Sequence, residues 1–448
     1  MKRPYGHYAY SLGPIRKCAW TEEIAAVDLQ VPTASGMIIA DFAIIGGGYT
    51  GLNAALALAE AGADVALFDA EFPGFGASGR NGGFCCIGGA RASDAQLERR
   101  HGRGAAAEVR QAEMAAVAHV ATLIDRLGLD VDRHSEGEAM MAHSPAKFEA
   151  LRRAQPEIDR RYGVKTRLIE ASALAEHGLN SGFHGALILP VGFALHPRKY
   201  LAGLVAAAKS AGARLFGDSP VTAIAPAAEG FRLTTPQASI RARRLLISTN
   251  GYSAENLPPW LRHRFLPAQS SMLATRVMSP AELAAQGWTS PQMAYEDRRL
   301  LHYFHLTPDN RMVFGQRGGL IASQANDARI AQKVRADFDR LFPAWRAVET
   351  PHHWSGMVCL TASLTPFCGA IPELPGAFAA FGYHGNGVAM GSYCGKALAD
   401  LALGSNGNDP DRVAIPRAFA APPPRFPLGP LRRAWLAAEY GWARLTDR

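Results

Sequence analysis

The chain has 448 residues, enough for two or three domains. Its composition, 48% hydrophobic and 19% charged, is that of a globular protein with an ample core and excludes a disordered or fibrous chain. The net charge of +8 is carried mostly by arginines spread along the chain, with only small groups such as Arg241-Ala-Arg-Arg244, so no nucleic-acid partner is expected.

Residues 1–36 contain Tyr5, Tyr8, Tyr10 and Trp20 without a clear period, which predicts a leader packed across the first domain rather than a disordered tail. The first regular unit is Asp41-Phe-Ala-Ile-Ile-Gly-Gly-Gly-Tyr-Thr-Gly51, continuing to Phe68-Asp69. Residues 41–45 read as a buried strand. Residues 50–61 read as a helix with Leu52, Leu56 and Ala59 on one stripe, and Val65-Ala-Leu-Phe68 as a second buried strand. In the turn, Gly46 permits a sharp bend, Gly48 lets the backbone approach a pyrophosphate, and Gly51 lets the helix lie close on the strand. With Tyr49 and Thr50, this turn offers free N–H groups and the positive end of a helix dipole to that phosphate. Asp69 closes the second strand, where a carboxylate accepts from a ribose hydroxyl. The order strand, glycine turn, helix, strand, acid predicts a dinucleotide site.

The loop Gly74-Phe-Gly-Ala-Ser-Gly-Arg-Asn-Gly-Gly83 follows. Its small residues Ala77, Gly82 and Gly83 let backbone touch a flat cofactor, and Ser78, Arg80 and Asn81 can donate to phosphate or to ring carbonyls. Residues 105–127 predict a long helix with Val117, Val120, Ile124 and Leu127 on one stripe. Gly137 to His143 reads as a strand outside the nucleotide unit, residues 145–162 as a polar helix, and residues 184–193 as the return to the first domain. A helix runs from His196 to about Ser210. Strands follow at 213–216, 221–224 and 231–234, and a further one ends in Leu245-Leu-Ile-Ser-Thr-Asn250-Gly251-Tyr252.

Residues 253–349 differ in character. A hairpin is predicted from Leu300–Leu306, the turn Thr307-Pro-Asp-Asn310, and Arg311–Arg317. Period two separates Leu301, Tyr303 and His305 from His302, Phe304 and Leu306, and one of these faces should line a pocket. Arg317 ends the hairpin, where its forked donors can clamp a carboxylate. Ile330 to Phe342 is a polar helix. The chain then returns to the first domain at Trp354–Thr361. Phe378–Phe381, the turn Gly382-Tyr-His-Gly-Asn-Gly387 and a helix to about Leu403 form a second strand–turn–helix unit, whose helix dipole suits the pyrimidine edge of a flavin. The tail has a proline-rich linker at 421–424 and a short amphipathic helix with Arg432, Arg433, Trp435, Tyr440 and Trp442, expected to pack on the body or to make a weak membrane-surface or subunit contact.

Six cysteines show no metal-ligand spacing, so no metal site is expected and the thiols should be reduced, as in a cytoplasm. No apolar run is long enough to span a membrane, and the N-terminus lacks the apolar core of a signal peptide.

Together these residues resemble the FAD-dependent D-amino-acid oxidase superfamily, in its glycine oxidase and γ-glutamylputrescine oxidase branch. The matching pieces are Ile44-Ile-Gly-Gly-Gly-Tyr-Thr-Gly-Leu52, Gly76-Ala-Ser-Gly-Arg-Asn-Gly-Gly83, Thr249-Asn-Gly-Tyr252, Tyr303-Phe-x-Leu-x-x-Asp-Asn-Arg311 and Gly382-Tyr-x-Gly-x-Gly387. The resemblance implies hydride transfer from the carbon beside an amine nitrogen to FAD, hydrolysis of the imine, and reoxidation by oxygen or another acceptor. It implies FAD bound at Gly46–Gly51 and Asp69, with the Val221 region on the adenine side, residues 78–83 beside the isoalloxazine, Thr249, Asn250 and Gly251 nearby, and Gly385, Asn386 and Gly387 at the pyrimidine edge. His384, Tyr303, Arg317 and His302 are the candidates on the substrate side. This chain departs from the family pattern at Phe84, where relatives often carry Gln. It also departs at His384 and Asn386, where the branch has Gly-Tyr-Ser-Gly-His-Gly. Neither Cys359 nor Cys368 matches a flavin-linking cysteine, so FAD is expected to be non-covalent.

The fold expected is α/β plus α+β: a Rossmann-like FAD-binding domain built from residues 37–135, 185–252 and 350–404, with an antiparallel-sheet substrate domain from 136–184 and 253–349, a leader at 1–36 and a tail at 405–448. The expected function is flavin-dependent oxidation of a C–N bond in a γ-glutamylputrescine-like amine in the cytoplasm. The alternatives are a D-amino acid or N-methyl amine enzyme using another acceptor, and a non-redox FAD-binding protein.

Overall fold

The computed structural model describes residues 2–404 and 412–446, with side chains through residue 442. The first seven residues of the tail as drawn from sequence, 405–411, lie outside the described residues. One eight-stranded sheet carries the nucleotide unit. Its order is Phe367–Ala370, Ala377–Phe381, Ala238–Ile247, Gly36–Ile45, Val65–Phe68, Arg214–Phe216, and the hairpin Ala223–Ala227 with Gly230–Thr234 lies antiparallel on Ala238–Ile247. The four central pairings, from Ala377–Phe381 to Arg214–Phe216, are parallel. Parallel strands need crossovers and are buried on both faces. Here Ile44 and Leu67 face the helices Tyr49–Glu60, Ala105–Leu127, Pro197–Ser210 and Ala389–Leu403, while Ala43 and Phe68 face Phe231, Trp260 and Phe265. The first strand begins at Gly36, five residues before the apolar run that announces it. Its outer half alternates, with Ile38 and Ala40 buried and Met37 and Ile39 exposed.

A second eight-stranded sheet runs His352–Leu360, Leu266–Ala274, Met312–Gly319, His302–Leu306, Met293–Glu296, Glu138–Met141, Gly185–Leu189, Arg167–Glu170. It is antiparallel except where Met293–Glu296 meets Glu138–Met141. Helix Gln324–Leu341, capped by Ser323, covers one face through Val334 and Phe338, which pack with Phe304, Phe314 and Trp345. Two expectations are corrected. Gly185–Leu189 does not return to the first sheet, and neither does His352–Leu360; both pair within the second. Gly185–Leu189 is buried at all five positions, and a strand apolar on both sides carries no sign of which sheet it joins.

The leader touches both sheets rather than the first alone. Tyr5 Oη donates to Pro267 O (2.9 Å) and Tyr8 Oη to Asp327 (2.9 Å), while Trp20 Nε1 donates to Asn81 O (2.8 Å). The tail helix Arg432–Thr446 seats its arginines inward. Arg432 pairs with Glu255 at 2.6 Å in a buried site, and Arg433 donates to Leu320 O at 2.6 Å and lies over the Tyr5 ring. No helix among the described residues is long and apolar enough to cross a membrane.

Candidate functional site

The glycine turn is shaped by its own contacts. Gly46 sits at φ +105°, a conformation that an L side chain resists. A Cβ on Gly51 would lie 1.9 Å from Gly46 O, so only glycine lets the helix Tyr49–Glu60 start against the strand end. Ser248 Oγ, from the neighbouring strand's end, lies 2.8 Å from Gly46 O and ties the turn to the sheet. Asp69 accepts from Gly47 N at 2.7 Å and from Glu71 N at 3.0 Å. Burial pushes its carboxyl up from the usual range, and those amides pull against it.

The loop after the second strand uses its polar side chains on itself. Ser78 Oγ accepts from Tyr49 N at 3.0 Å. Asn81 Nδ2 donates to Tyr49 Oη, Ala77 O and Ser78 O, and its Oδ1 accepts from Gly83 N. The Arg80 guanidinium is buried, donates to the carbonyls of Phe75, Gly76 and Ser355, and stacks on Phe75 and Tyr252. Arg80 and Asn81 thus line the cleft while bonding the loop to itself and to Ser355.

The two glycine turns are brought side by side. Thr50 Oγ1 and Tyr383 Oη meet at 2.8 Å, and a Cβ on Gly395 would lie 2.4 Å from Thr50 O. The helices Tyr49–Glu60 and Ala389–Leu403 therefore start next to each other, and Gly48, Tyr49 and Thr50 line the same cleft as Gly385, Asn386, Gly387 and Val388. Two helix N-termini then present positive dipole ends to one space.

This cleft holds about 390 Å³. It contains Gly46, Gly48, Tyr49, Thr50, Asp69, Ala77, Ser78, Arg80, Asn81, Gly82, Val221, Thr249 and Asn250 as well as the second turn. Gly51, Gly83 and Gly251 sit behind its wall: a Cβ on Gly83 would lie 2.1 Å from Leu195 O, and one on Gly251 would touch Met357. At the other end the second sheet contributes Ser270, Met272, Tyr295, Leu301, Tyr303 and Arg317. Ser270 Oγ lies 3.1 Å from Gln316 O and 2.9 Å from Tyr303 Oη. With the serine donating to the carbonyl, the tyrosine donates to the serine and keeps its lone pairs for the cleft. Arg317 makes no side-chain hydrogen bond or ion pair among the described residues. Burial, and then the charge of Arg91, lower its pKa to about 10.

Two candidates leave the site. His302 is on the other side of its strand, between Glu296 (2.6 Å) and Asp337 (3.2 Å), stacked on Phe314. His384 is 2% exposed and links three segments: Nδ1 donates to Gly89 O at 2.8 Å and Nε2 accepts from Thr361 N at 3.2 Å. Burial lowers its pKa to about 4, so it is a neutral strut. Arg91, Glu138, Tyr295 and Ser270 line the cleft without having been singled out in the sequence. A buried acid at Glu138, opening a strand of small and apolar residues, was the one signal available.

Comparison with known proteins agrees with this geometry. The family described as DAO, FAD dependent oxidoreductase, matches residues 41–401. A probable oxidoreductase OrdL of Rhizobium meliloti (strain 1021) is 31% identical over 432 residues, 96% of this chain and 97% of that protein. A gamma-glutamylputrescine oxidoreductase of Escherichia coli (strain K12) is 30% identical over 420 residues, 93% of this chain and 95% of that protein. The crystal structure of glycine oxidase from Geobacillus kaustophilus superposes with a TM-score of 0.69 at 22% identity, covering 84% of this chain and 99% of that one, a likeness of fold.

Proposed function

The chain belongs to the DAO family of FAD-dependent oxidoreductases and oxidises amines or amino acids; from that premise we propose that its substrate is an amine carrying a carboxylate, with γ-glutamylputrescine the first compound to test. The observation that carries this reading is Arg317, a guanidinium in the cleft that pairs with no anion among the described residues, beside the Tyr303 hydroxyl. A planar fork of donors without a partner suits a carboxylate.

The cleft fits the cofactor. Gly48 is bare against Ser78, where a Cβ would lie 2.8 Å from Oγ, and the two helix starts leave backbone facing one space. In this reading the Gly46–Thr50 turn holds the phosphates, Asp69 the ribose, Val221 the adenine side, and Gly82 with Gly385–Gly387 the ring. Bound FAD supplies the hydride acceptor.

The protein's own groups do the rest. Arg317 fixes the carboxylate, which limits how the reacting carbon can lie. Tyr303, its hydroxyl hydrogen committed to Ser270, accepts from the substrate's amine N–H. Phe84, Met272 and Leu301 bring apolar surface to that end of the cleft, which favours the uncharged amine needed for hydride loss.

The test is the visible absorbance of the purified protein, recorded anaerobically before and after addition of γ-glutamylputrescine, D-amino acids and N-methyl amino acids. Bleaching of the flavin bands by carboxylate-bearing amines, and not by their decarboxylated analogues, is the expected result. Equal bleaching by both sets overturns the carboxylate requirement.

A further inference from the structure

The cleft contains a second cation to which the reaction so far gives no task. Arg91 ends the segment that runs beside the second glycine turn, held there by Asn386 Nδ2 donating to Ile87 O (2.8 Å), His384 Nδ1 to Gly89 O (2.8 Å), and Arg91 N to Leu364 O (2.7 Å). Its side chain lines the same cleft as Arg317. Like Arg317, it makes no side-chain hydrogen bond or ion pair among the described residues.

Among the described residues no carboxylate forms an ion pair with either guanidinium. Glu113, an acid whose charge acts on Arg91, is taken by Arg110 through two bonds of 3.0 and 2.9 Å and by Tyr162 at 3.1 Å. Glu138 lines the cleft, but burial raises its pKa to about 8 and keeps it uncharged at neutral pH. Asp69 belongs to the first glycine turn. Arg91 reaches solvent at the rim of the cleft while Arg317 lies further in, and the charge of Arg91 acts on Arg317; a bound dianion pairs with both and offsets that repulsion.

We propose that Arg91 and Arg317 together receive the two carboxylates of a dicarboxylic amine or amino acid, with Arg91 selecting for the second carboxylate. This rests on the carboxylate reading above and narrows it: a γ-glutamylpolyamine brings one carboxylate and more than one amine, so a diacid is the better match to two guanidiniums. Each is free to bond in a charge-assisted fork.

The experiment titrates oxidised, FAD-loaded enzyme with unreactive acids of matched length, butyrate against succinate and pentanoate against glutarate, following the shift in the bound flavin's visible spectrum. In the wild type the diacid of each pair should bind at least about tenfold tighter, the worth of one charge-assisted contact. In Arg91→Gln that ratio should fall towards one at unchanged FAD content, and Arg91→Lys should keep part of it. A ratio near one in the wild type overturns the proposal without touching the carboxylate reading, and needs no variant. An unchanged ratio in Arg91→Gln, or loss of FAD from it, also overturns the proposal, the latter by assigning Arg91 to the cofactor. If no acid of either kind perturbs the flavin, the carboxylate reading itself falls, and this proposal with it.

Discussion

The hydroxyls of Thr50 and Tyr383 meet at 2.8 Å at the point where the two glycine-turn helices start side by side. The contact depends on close backbone approach. Gly395 packs against Thr50 O and the Asn53 side chain, at 2.4 and 2.8 Å from where a Cβ would stand, whereas one on Gly391 would lie 3.3 Å from Thr50 Oγ1. A valine at 395 must push against backbone, so Gly395→Val should cost about 2–3 kcal/mol and separate the helix ends that face the cleft. The measurement is the flavin-to-protein absorbance ratio together with the unfolding midpoint. Gly395→Val should lose both FAD and stability. Tyr383→Phe, which removes one hydroxyl, should cost about 1 kcal/mol and keep the flavin.

His302 tests the boundary of the site. It is 4% exposed, on the side of the hairpin away from the cleft, with Glu296 and Asp337 on its two nitrogens. Burial opposes its charge, but the bonds to Asp337 and Glu296 outweigh that and raise its pKa. A raised folded-state pKa gives stability that is present in full below the unfolded value near 6.5 and is lost as pH rises through the folded value. His302→Gln should therefore lower stability by about 3–5 kcal/mol at pH 6 and by less at pH 9, because it takes the close cationic partner from the buried Glu296, whereas Asp337 keeps Lys333 and Arg340. Denaturant midpoints at the two pH values measure this. At a temperature where the variant is folded, kcat should stay within about twofold of wild type, since the side chain touches nothing in the cleft; a large drop in kcat would return His302 to the active site.

What could be read in advance follows what local chemistry demands. The turn at Gly46, Gly48 and Gly51 was legible because a positive φ and a close helix leave only glycine. The hairpin was legible from alternation, which separated Tyr303 from His302. Alternation says that the two residues face opposite ways and not which way holds the cleft, so both stood as candidates until the sheet was assembled. The strand Leu266–Ala274 went unseen because all nine of its residues are buried, Gln269, Ser270 and Ser271 included, and neither face alternates. Arg91, Glu138 and Tyr295 were invisible for another reason. They come from a loop and two paired strands far apart in sequence, and only the register Met293 to Glu138 and Tyr295 to Met140 brings that edge to the cleft.

Arg317 lines the cleft with its guanidinium packed against Gly385 and makes no side-chain hydrogen bond among the described residues, so its loss should be felt mainly by the ligand. Arg317→Ala should raise KM for a carboxylate-bearing amine by about a hundredfold, the worth of a bidentate charge-assisted pair, with kcat less affected and FAD content unchanged. Steady-state kinetics on a carboxylate-bearing amine and on its decarboxylated analogue separate the causes. A KM that rises for both substrates would mean a distorted pocket, and a KM that rises for neither removes Arg317 from substrate binding.

Glu138 gives the cleft a pH dependence with a definite sign. Burial is the chief cause of its pKa of about 8, the charge of Glu113 adds to it, and a hydrogen bond from the Cys86 thiol works against it. In the unfolded chain the same carboxyl ionises near 4.5. Between these values the unfolded chain is ionised and the folded chain is not, so folding takes up a proton and stability falls as pH rises from about 4.5 to about 8, then levels off. Glu138→Gln keeps the shape and removes the ionisation. Its advantage over wild type should be absent at pH 4.5, grow through pH 6 and 7, and reach on the order of several kcal/mol by pH 8. Unfolding midpoints of the two holoenzymes across this range make the comparison, with flavin content checked at each pH because Glu138 lines the cofactor's cleft. A difference that is flat with pH would mean that Glu138 is ionised in the folded protein. In that case it, and not an external anion, would be the counter-charge to Arg91 and Arg317.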